Sequence, residues 1–216
     1  MRVIQILPQL NIGGVERGTL DLSKALIKKG HESFVISGGG ILVDELIRSG
    51  AKHFEIPVHI KSLRTLCLAK SLSEKISSID PDIVHIRSRM PAWVNYRAFK
   101  MLKKKPLLIS TFHGLYSFPI YSKVMSFVDH SIAISKTVER YILENYRIDK
   151  DDITVIPRGC DPIEFNNDVI NPVDKANIIE EFPQIVGKKV LTIPGRITKW
   201  KGVAEFIELL SLLDDN

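Results

Sequence analysis

The sequence predicts an α/β protein built on a doubly wound parallel sheet with helices on both faces. Two observations carry this. Apolar, β-branched runs alternate from the first residue with segments of helical period, which indicates parallel βαβ units. Glycine-bearing motifs also recur just after strands, where open parallel sheets receive their ligands. Strands are expected at 2–7, 33–37, 52–56, 82–86, 106–112, 130–134, 152–156 and 189–194. Helical periodicity fills 15–29, 41–49, 61–79, 90–103, 135–146 and 201–213.

A domain boundary is expected near 165–187. Asp161-Pro162-Ile163-Glu164 reads as a helix start, with Asp161 as cap, Pro in the first turn and Glu three residues on. The polar Asn166-Asn167-Asp168 and then Asn171-Pro172 follow, with a helix ending near Pro183. A new strand is expected to open at Lys188-Lys189-Val190-Leu191-Thr192-Ile193. The division expected is 1–168 for a complete first domain and 169–216 for a linker and the first strand–helix unit of an incomplete second one.

With 216 residues, the chain buries enough surface to fold without metal or disulfide, roughly 70% of the unfolded total for this size. Cys67 and Cys160 lie far apart, without metal-ligand spacing, and read as reduced thiols in a reducing cytoplasm. The opening Met1-Arg2-Val3-Ile4-Gln5-Ile6-Leu7-Pro8 has too short an apolar run for a signal peptide. No stretch reaches the roughly 20 apolar residues that span a bilayer. A cytoplasmic location is therefore expected. The formal charge of +5 suits an anionic partner without choosing one.

Four segments could carry chemistry. Asn11-Ile12-Gly13-Gly14-Val15-Glu16-Arg17-Gly18 joins the first strand to the first helix. There, paired glycines let backbone approach a phosphate and the helix N-terminus offers free N–H groups. A tight turn without ligand is the alternative. The P-loop lysine is missing. The second strand ends in Ser37-Gly38-Gly39-Gly40 with no carboxylate for a ribose, which argues against NAD.

Thr111-Phe112-His113-Gly114 ends a strand on the ligand side, where His113 can bond a sugar or phosphate, or be satisfied within its own loop. Pro194-Gly195-Arg196-Ile197-Thr198-Lys199-Trp200-Lys201-Gly202 sets a guanidinium and an ammonium where they could clamp a diphosphate. Arg158, in Arg158-Gly159-Cys160-Asp161, also follows a strand and could meet an anion, whereas Asp161 fits a helix cap.

No metal site is expected. Asp80-Pro81-Asp82 and Asp151-Asp152 precede strands, at the end of the sheet away from the cleft, and read as solvated turns. Lys103-Lys104-Lys105 favours a helix C-terminus. Lys61, Arg64 and Lys75 share one side of the 61–79 helix and could meet an acidic membrane or simply face solvent. Nucleic acid is not an expected partner, since no aromatic-interleaved basic patch is visible.

Taken together these segments resemble a family 4 glycosyltransferase of the two-Rossmann-domain (GT-B) type. The resemblance runs through Gly13-Gly14-Val15-Glu16-Arg17, Pro81-Asp82-Ile83-Val84-His85 and Thr111-Phe112-His113-Gly114. It continues in Ala133-Ile134-Ser135-Lys136, Val155-Ile156-Pro157-Arg158-Gly159 and Gly195-Arg196 with Lys201-Gly202. It implies a Rossmann-like, acceptor-side first domain, and it implies roles. Gly13 and Gly14 approach the donor's phosphates, His113 contacts the transferred sugar, and Arg196 and Lys201 neutralise the leaving diphosphate.

The resemblance further implies a retaining enzyme with no metal or cofactor, a nucleotide-sugar donor, and a glycolipid or polysaccharide acceptor such as a lipopolysaccharide core. It allows peripheral contact with the inner membrane face.

Two departures stand out. The family's Glu-x₇-Glu motif is absent, since Glu205 leads to Leu213 and Glu208 to Asn216. Arg158 replaces the asparagine common in its loop. A truncated or split transferase, with a second chain supplying the donor half, is thus one expectation. A non-catalytic acceptor- or membrane-binding module and a degenerate gene remnant are the others.

Overall fold

Seven short strands, the central ones largely buried on both faces, form one all-parallel sheet. We describe it from a computed structural model covering residues 1–60, 62–116, 119–163, 166, 170–195 and 197–213, with backbone only at Leu63, Arg64, Pro119 and Trp200. The strands are β1 (Arg2–Ile6), β2 (Glu32–Ser37), β3 (Lys52–Glu55), β4 (Ile83–Ile86), β5 (Leu107–Phe112), β6 (His130–Ala133) and β7 (Ile153–Val155). Their order is β3-β2-β1-β4-β5-β6-β7. The chain winds outward from β1 in one direction, then returns to β4 and winds in the other. The order therefore reverses between β1 and β4, and the crevice beyond their carboxyl ends is where this architecture places ligands.

Helices α1 (Gly14–Lys28), α2 (Val43–Arg48), α3 (Ala69–Ile79), α4 (Arg89–Phe99), α5 (Pro119–Ser122) and α6 (Lys136–Asn145) cover the two faces. The expected 61–79 helix is in fact a 3₁₀ segment, Leu63–Leu68, leading into α3.

The faces differ in chemistry. Even-numbered residues of β1, β2 and β4, including Ile4, Ile6, Phe34, Ile36, Val84 and Ile86, join Leu72, Ile76 and Phe112 in one large apolar core. On the opposite face, Leu7, Leu10, Leu20, Val35, Leu46 and Ala51 form a smaller cluster under α1 and α2. Beside that cluster lies a buried polar seam. Gln5 Nε2 donates to the Thr19 carbonyl at 3.0 Å and to Ser23 Oγ at 2.9 Å, and Ser33 Oγ donates to Ser23 Oγ at 3.0 Å. Bonding each buried polar atom in this way keeps the seam from costing stability.

Contacts divide the chain into two compact units, Met1–Gly159 and Cys160–Asn216. The second unit carries α7 (Pro172–Glu181), capped by Asn171 Oδ1 accepting from Val173 N–H at 3.0 Å, and α8 (Val203–Ser211). The strand expected at 189–194 is not formed, which corrects the sequence reading. A strand exists through its ladder, and no other strand lies among the described residues of this unit to pair with it. Asp161 Oδ1 accepts from Ile163 N–H at 2.8 Å, a local turn, while Glu164 of the expected helix start falls outside the described residues.

The Asp80-Pro81-Asp82 turn is engaged rather than merely solvated. Asp82 Oδ2 accepts from the Arg2 backbone N–H at 2.7 Å, and Asp80 meets Arg2 at 3.3 Å and Lys104 at 2.7 Å. Of the basic residues expected to share a helix side, Lys75 lies 4.2 Å from the Phe54 ring centroid. Lys61 and the Arg64 side chain lie outside the described residues. No described helix is long and apolar enough to cross a membrane.

Candidate active site

The crevice at the β1/β4 reversal is built from four strand ends. The β1–α1 loop holds Gly13 and Gly14, and the Glu16 carboxylate folds back over Gly13, where any side chain would collide with it. The second glycine run underpins this loop. Gly38 N–H donates to the Pro8 carbonyl at 2.8 Å, Leu10 N–H to the Gly39 carbonyl at 2.7 Å, and Leu42 N–H to the Leu10 carbonyl at 2.8 Å. Gly40 lies at φ +140 with its missing Cβ directed into the Leu10 backbone, so only glycine lets the two loops meet.

His113 follows β5 on the same side of the sheet. Its Nδ1 accepts a hydrogen bond from Arg158 Nη2 at 3.0 Å, while Arg158 Nη1 donates to the Gly14 carbonyl. An acceptor at Nδ1 puts the ring proton on Nε2, which is buried and has no partner among the described residues. Burial first, then the positive charges of Arg87 and Arg158, push His113 down to about pKa 3. The ring is therefore neutral at physiological pH: a hydrogen-bond donor through Nε2, and not an imidazolium acid.

Behind it sits Arg87, just past β4 and only 6% exposed. Nη1 donates to Gln5 Oε1 at 3.0 Å, and Nε is buried without a partner among the described residues. Burial, with Arg158 second, pushes its pKa down to about 10, opposed by the fields of Glu16 and Asp21. It stays charged at neutral pH. Neighbouring His85, 3% exposed, bonds Thr111 Oγ1 through Nε2 at 2.7 Å. Burial, then Arg87 and His113, hold His85 well below the usual histidine range.

The two guanidiniums converge on α1 at Gly18. A Cβ there would stand 3.1 Å from Arg158 Nη1 and 3.2 Å from Arg87 Nη2. Like charges repel at this range; no described carboxylate hydrogen-bonds either group, and Glu16 and Asp21 act on Arg87 through their fields alone.

Residues 12–164, well over half of the chain, match the model of Glycosyltransferase Family 4. The chain belongs to glycosyltransferase family 4. A human protein, one of the subunits of phosphatidylinositol N-acetylglucosaminyltransferase, is 24% identical over 185 residues, covering 78% of this chain and 38% of that protein. A crystal structure of a Rickettsia africae glycosyltransferase superposes with TM-score 0.80 at 36% identity, over 99% of this chain and 57% of its own. Anabaena HepE, solved with UDP and glucose, shares the fold with TM-score 0.76 at 15% identity, over 97% of this chain and 57% of its own. The chain thus spans about four tenths of the human relative and under six tenths of either structure.

In this family 4 chain the expected site residues belong to both units. Gly13, Gly14 and His113 come together in the first unit. Lys201 ends a 3₁₀ turn, Lys199–Lys201, in the second unit, and Arg196 lies outside the described residues. Sequence reading left Arg158 with only an unspecified anion contact and missed Gln5, His85 and Arg87 altogether as site residues. The signal that would have found them is parity. Gln5 and His85 stand opposite each other in register, and Arg87, Thr111 and His113 continue the same odd-numbered face.

Proposed function

We propose that this protein transfers a sugar from a nucleotide-sugar donor to a glycolipid or polysaccharide acceptor, with retention of configuration and without a metal. The supporting observation is His113: a neutral ring tied through Nδ1 to Arg158 beside the Gly14 loop, with its Nε2–H unpartnered among the described residues. The acceptor class is supported by the human relative, whose name specifies transfer to phosphatidylinositol. The donor class is supported by the UDP and glucose held by HepE.

In this reading the bond from the sugar's C1 to the diphosphate oxygen breaks as the acceptor oxygen bonds C1 on the same face. The acceptor's proton leaves with the diphosphate. Negative charge grows on the diphosphate as it departs, and Arg196 and Lys201 stabilise it in place of a metal. Nε2–H of His113 holds a sugar hydroxyl and fixes the ring's pose, since a group with a pKa near 3 does not shuttle protons at pH 7.

The test is sugar transfer by the protein with a panel of UDP-glucose, UDP-N-acetylglucosamine and GDP-mannose. His113→Ala and Arg196→Ala should each lower turnover about 100-fold or more, the scale for losing one transition-state hydrogen-bond donor. Turnover unchanged in both would refute the assignment.

A second reading, an acceptor-binding module without transfer, is favoured by one observation. The first unit holds a full seven-stranded sheet and its own core. Acceptor binding retained while no donor is consumed by any preparation would select it.

A further inference from the structure

The positive charge of the chain is concentrated in one stretch. Residues 83–128 hold eight Lys or Arg and no Asp or Glu, while all other residues together hold 22 against 25. The stretch runs from β4 through α4 and β5 to just before β6. Arg97, Lys100, Lys103, Lys105 and Lys123 are exposed, and none meets a carboxylate among the described residues. On the opposite face of the sheet the cations of α1 are answered. Arg17 meets Asp21 at 3.7 Å and Glu45 at 3.3 Å, and Lys24 meets Glu45 at 2.9 Å.

Aromatic rings stand between the unanswered cations. Lys100 Nζ lies 4.1 Å from the Tyr96 ring centroid and Lys123 Nζ 6.0 Å from that of Phe127. Tyr96 sits 5.2 Å from Phe127 and 6.2 Å from Trp93, centroid to centroid. Trp93, Tyr96, Arg97 and Lys100 line a shallow groove beside α3. Lys70 and Met101 join it to a second groove, which Lys103 and Lys104 line. Met101 is itself 52% exposed. Lysine stems laid on half-buried rings, with the ammonium groups outward, suit the boundary between lipid headgroups and acyl chains. Lipid phosphates supply the negative charge that this face lacks. The cations are strung along a surface instead of converging on a point, which fits a plane of many headgroups better than one ligand. An acidic protein would need carboxylates matched to each cation, and stems held only by ring contacts are not preset for that.

We propose that α4 and the residues flanking it dock the first unit onto an anionic lipid bilayer, with Arg97 and Lys100 central to the contact. This goes beyond the transfer reading, because docking needs no sugar donor. α4 begins just past the carboxyl end of β4, so a single helix links the docked face to the crevice.

The experiment is co-sedimentation of the full chain with two kinds of vesicle, phosphatidylcholine alone and phosphatidylcholine mixed with phosphatidylglycerol. Wild type is compared with Arg97→Gln/Lys100→Gln and with Lys28→Gln/Lys29→Gln, an equal loss of charge at the end of α1. All four side chains are exposed, so both variants should fold. Wild type should bind the anionic vesicles and not the neutral ones, and added salt should release it. The α4 variant should bind about 10-fold more weakly or worse, at about 1 kcal/mol per cation near such a surface. The α1 variant should change affinity less than about 2-fold.

No binding to anionic vesicles overturns the proposal, as does an equal loss in both variants or none in the α4 variant. Binding to polyglutamate but not to vesicles, lost in the α4 variant, overturns it in favour of an acidic protein partner. Vesicle binding without any sugar transfer would instead count against the transferase reading and leave this one standing.

Discussion

Arg158 donates to His113 Nδ1 at 3.0 Å and, through its other terminal nitrogen, to the carbonyl of Gly14. One side chain thus sets the histidine's tautomer and ties its ring to the glycine loop. It is also a cation pressed against a ring that must then stay neutral.

Replacing Arg158 with alanine should therefore raise the His113 pKa. Burial is the larger cause and persists, as does the Arg87 charge, so the value should climb above about 3 yet remain below the free histidine value near 6.5. An NMR titration of the imidazole protons reads this directly. An unchanged pKa would remove Arg158 from the account.

Acid should unfold the protein earlier than its carboxylates alone would dictate. His85 and His113 have folded pKa values below their unfolded ones, so the unfolded state binds more protons once pH falls under about 6.5. Stability is full above that pH and is lost as pH falls toward the folded values, by about 1.4 kcal/mol per pH unit for each histidine. Urea titrations between pH 6.5 and 5 should show this slope, in a window above the carboxylate range. His113→Asn should lessen it by one histidine's share, and a slope identical to wild type would contradict the assignment.

Gly40→Ala should cost about 1–3 kcal/mol or more. It combines a left-handed backbone that L-residues avoid with a collision against the Leu10 main chain. Urea midpoints measure it. Because the Gly38–Gly40 run braces the β1–α1 loop, ligand affinity at that loop should fall as well.

Phe112→Ala should cost about 3–5 kcal/mol, the scale for emptying a large buried ring site. Phe112 is fully buried against Tyr116 and Tyr146 and immediately precedes His113, so the cavity should also loosen the site. A loss under about 1 kcal/mol by denaturant titration would show that the core closes around the gap.

Strands β3, Lys-His-Phe-Glu, and β6, His-Ser-Ile-Ala, were legible only by their place between helical segments, whereas the other five are apolar runs bounded by turn residues, and such runs need no partner to be recognised. The run at 189–194 looked the same but forms no ladder, since pairing depends on a neighbour that sequence does not display. His113, Gly13 and Gly14 stood out by following strands in distinctive motifs. Arg87, Gln5 and His85 did not, because on strands buried on both faces a polar residue looks like an isolated exception. Only the parallel register aligns them on one odd-numbered face and brings Gln5 and Arg87, 82 residues apart, within 3.0 Å.

The most direct test of the central claim is the glycan profile of the source organism carrying His113→Ala at the chromosomal locus. The account predicts that a specific glycan is lost or shortened while the variant protein accumulates at its wild-type level. An unchanged profile at that protein level would contradict a transferase role centred on His113.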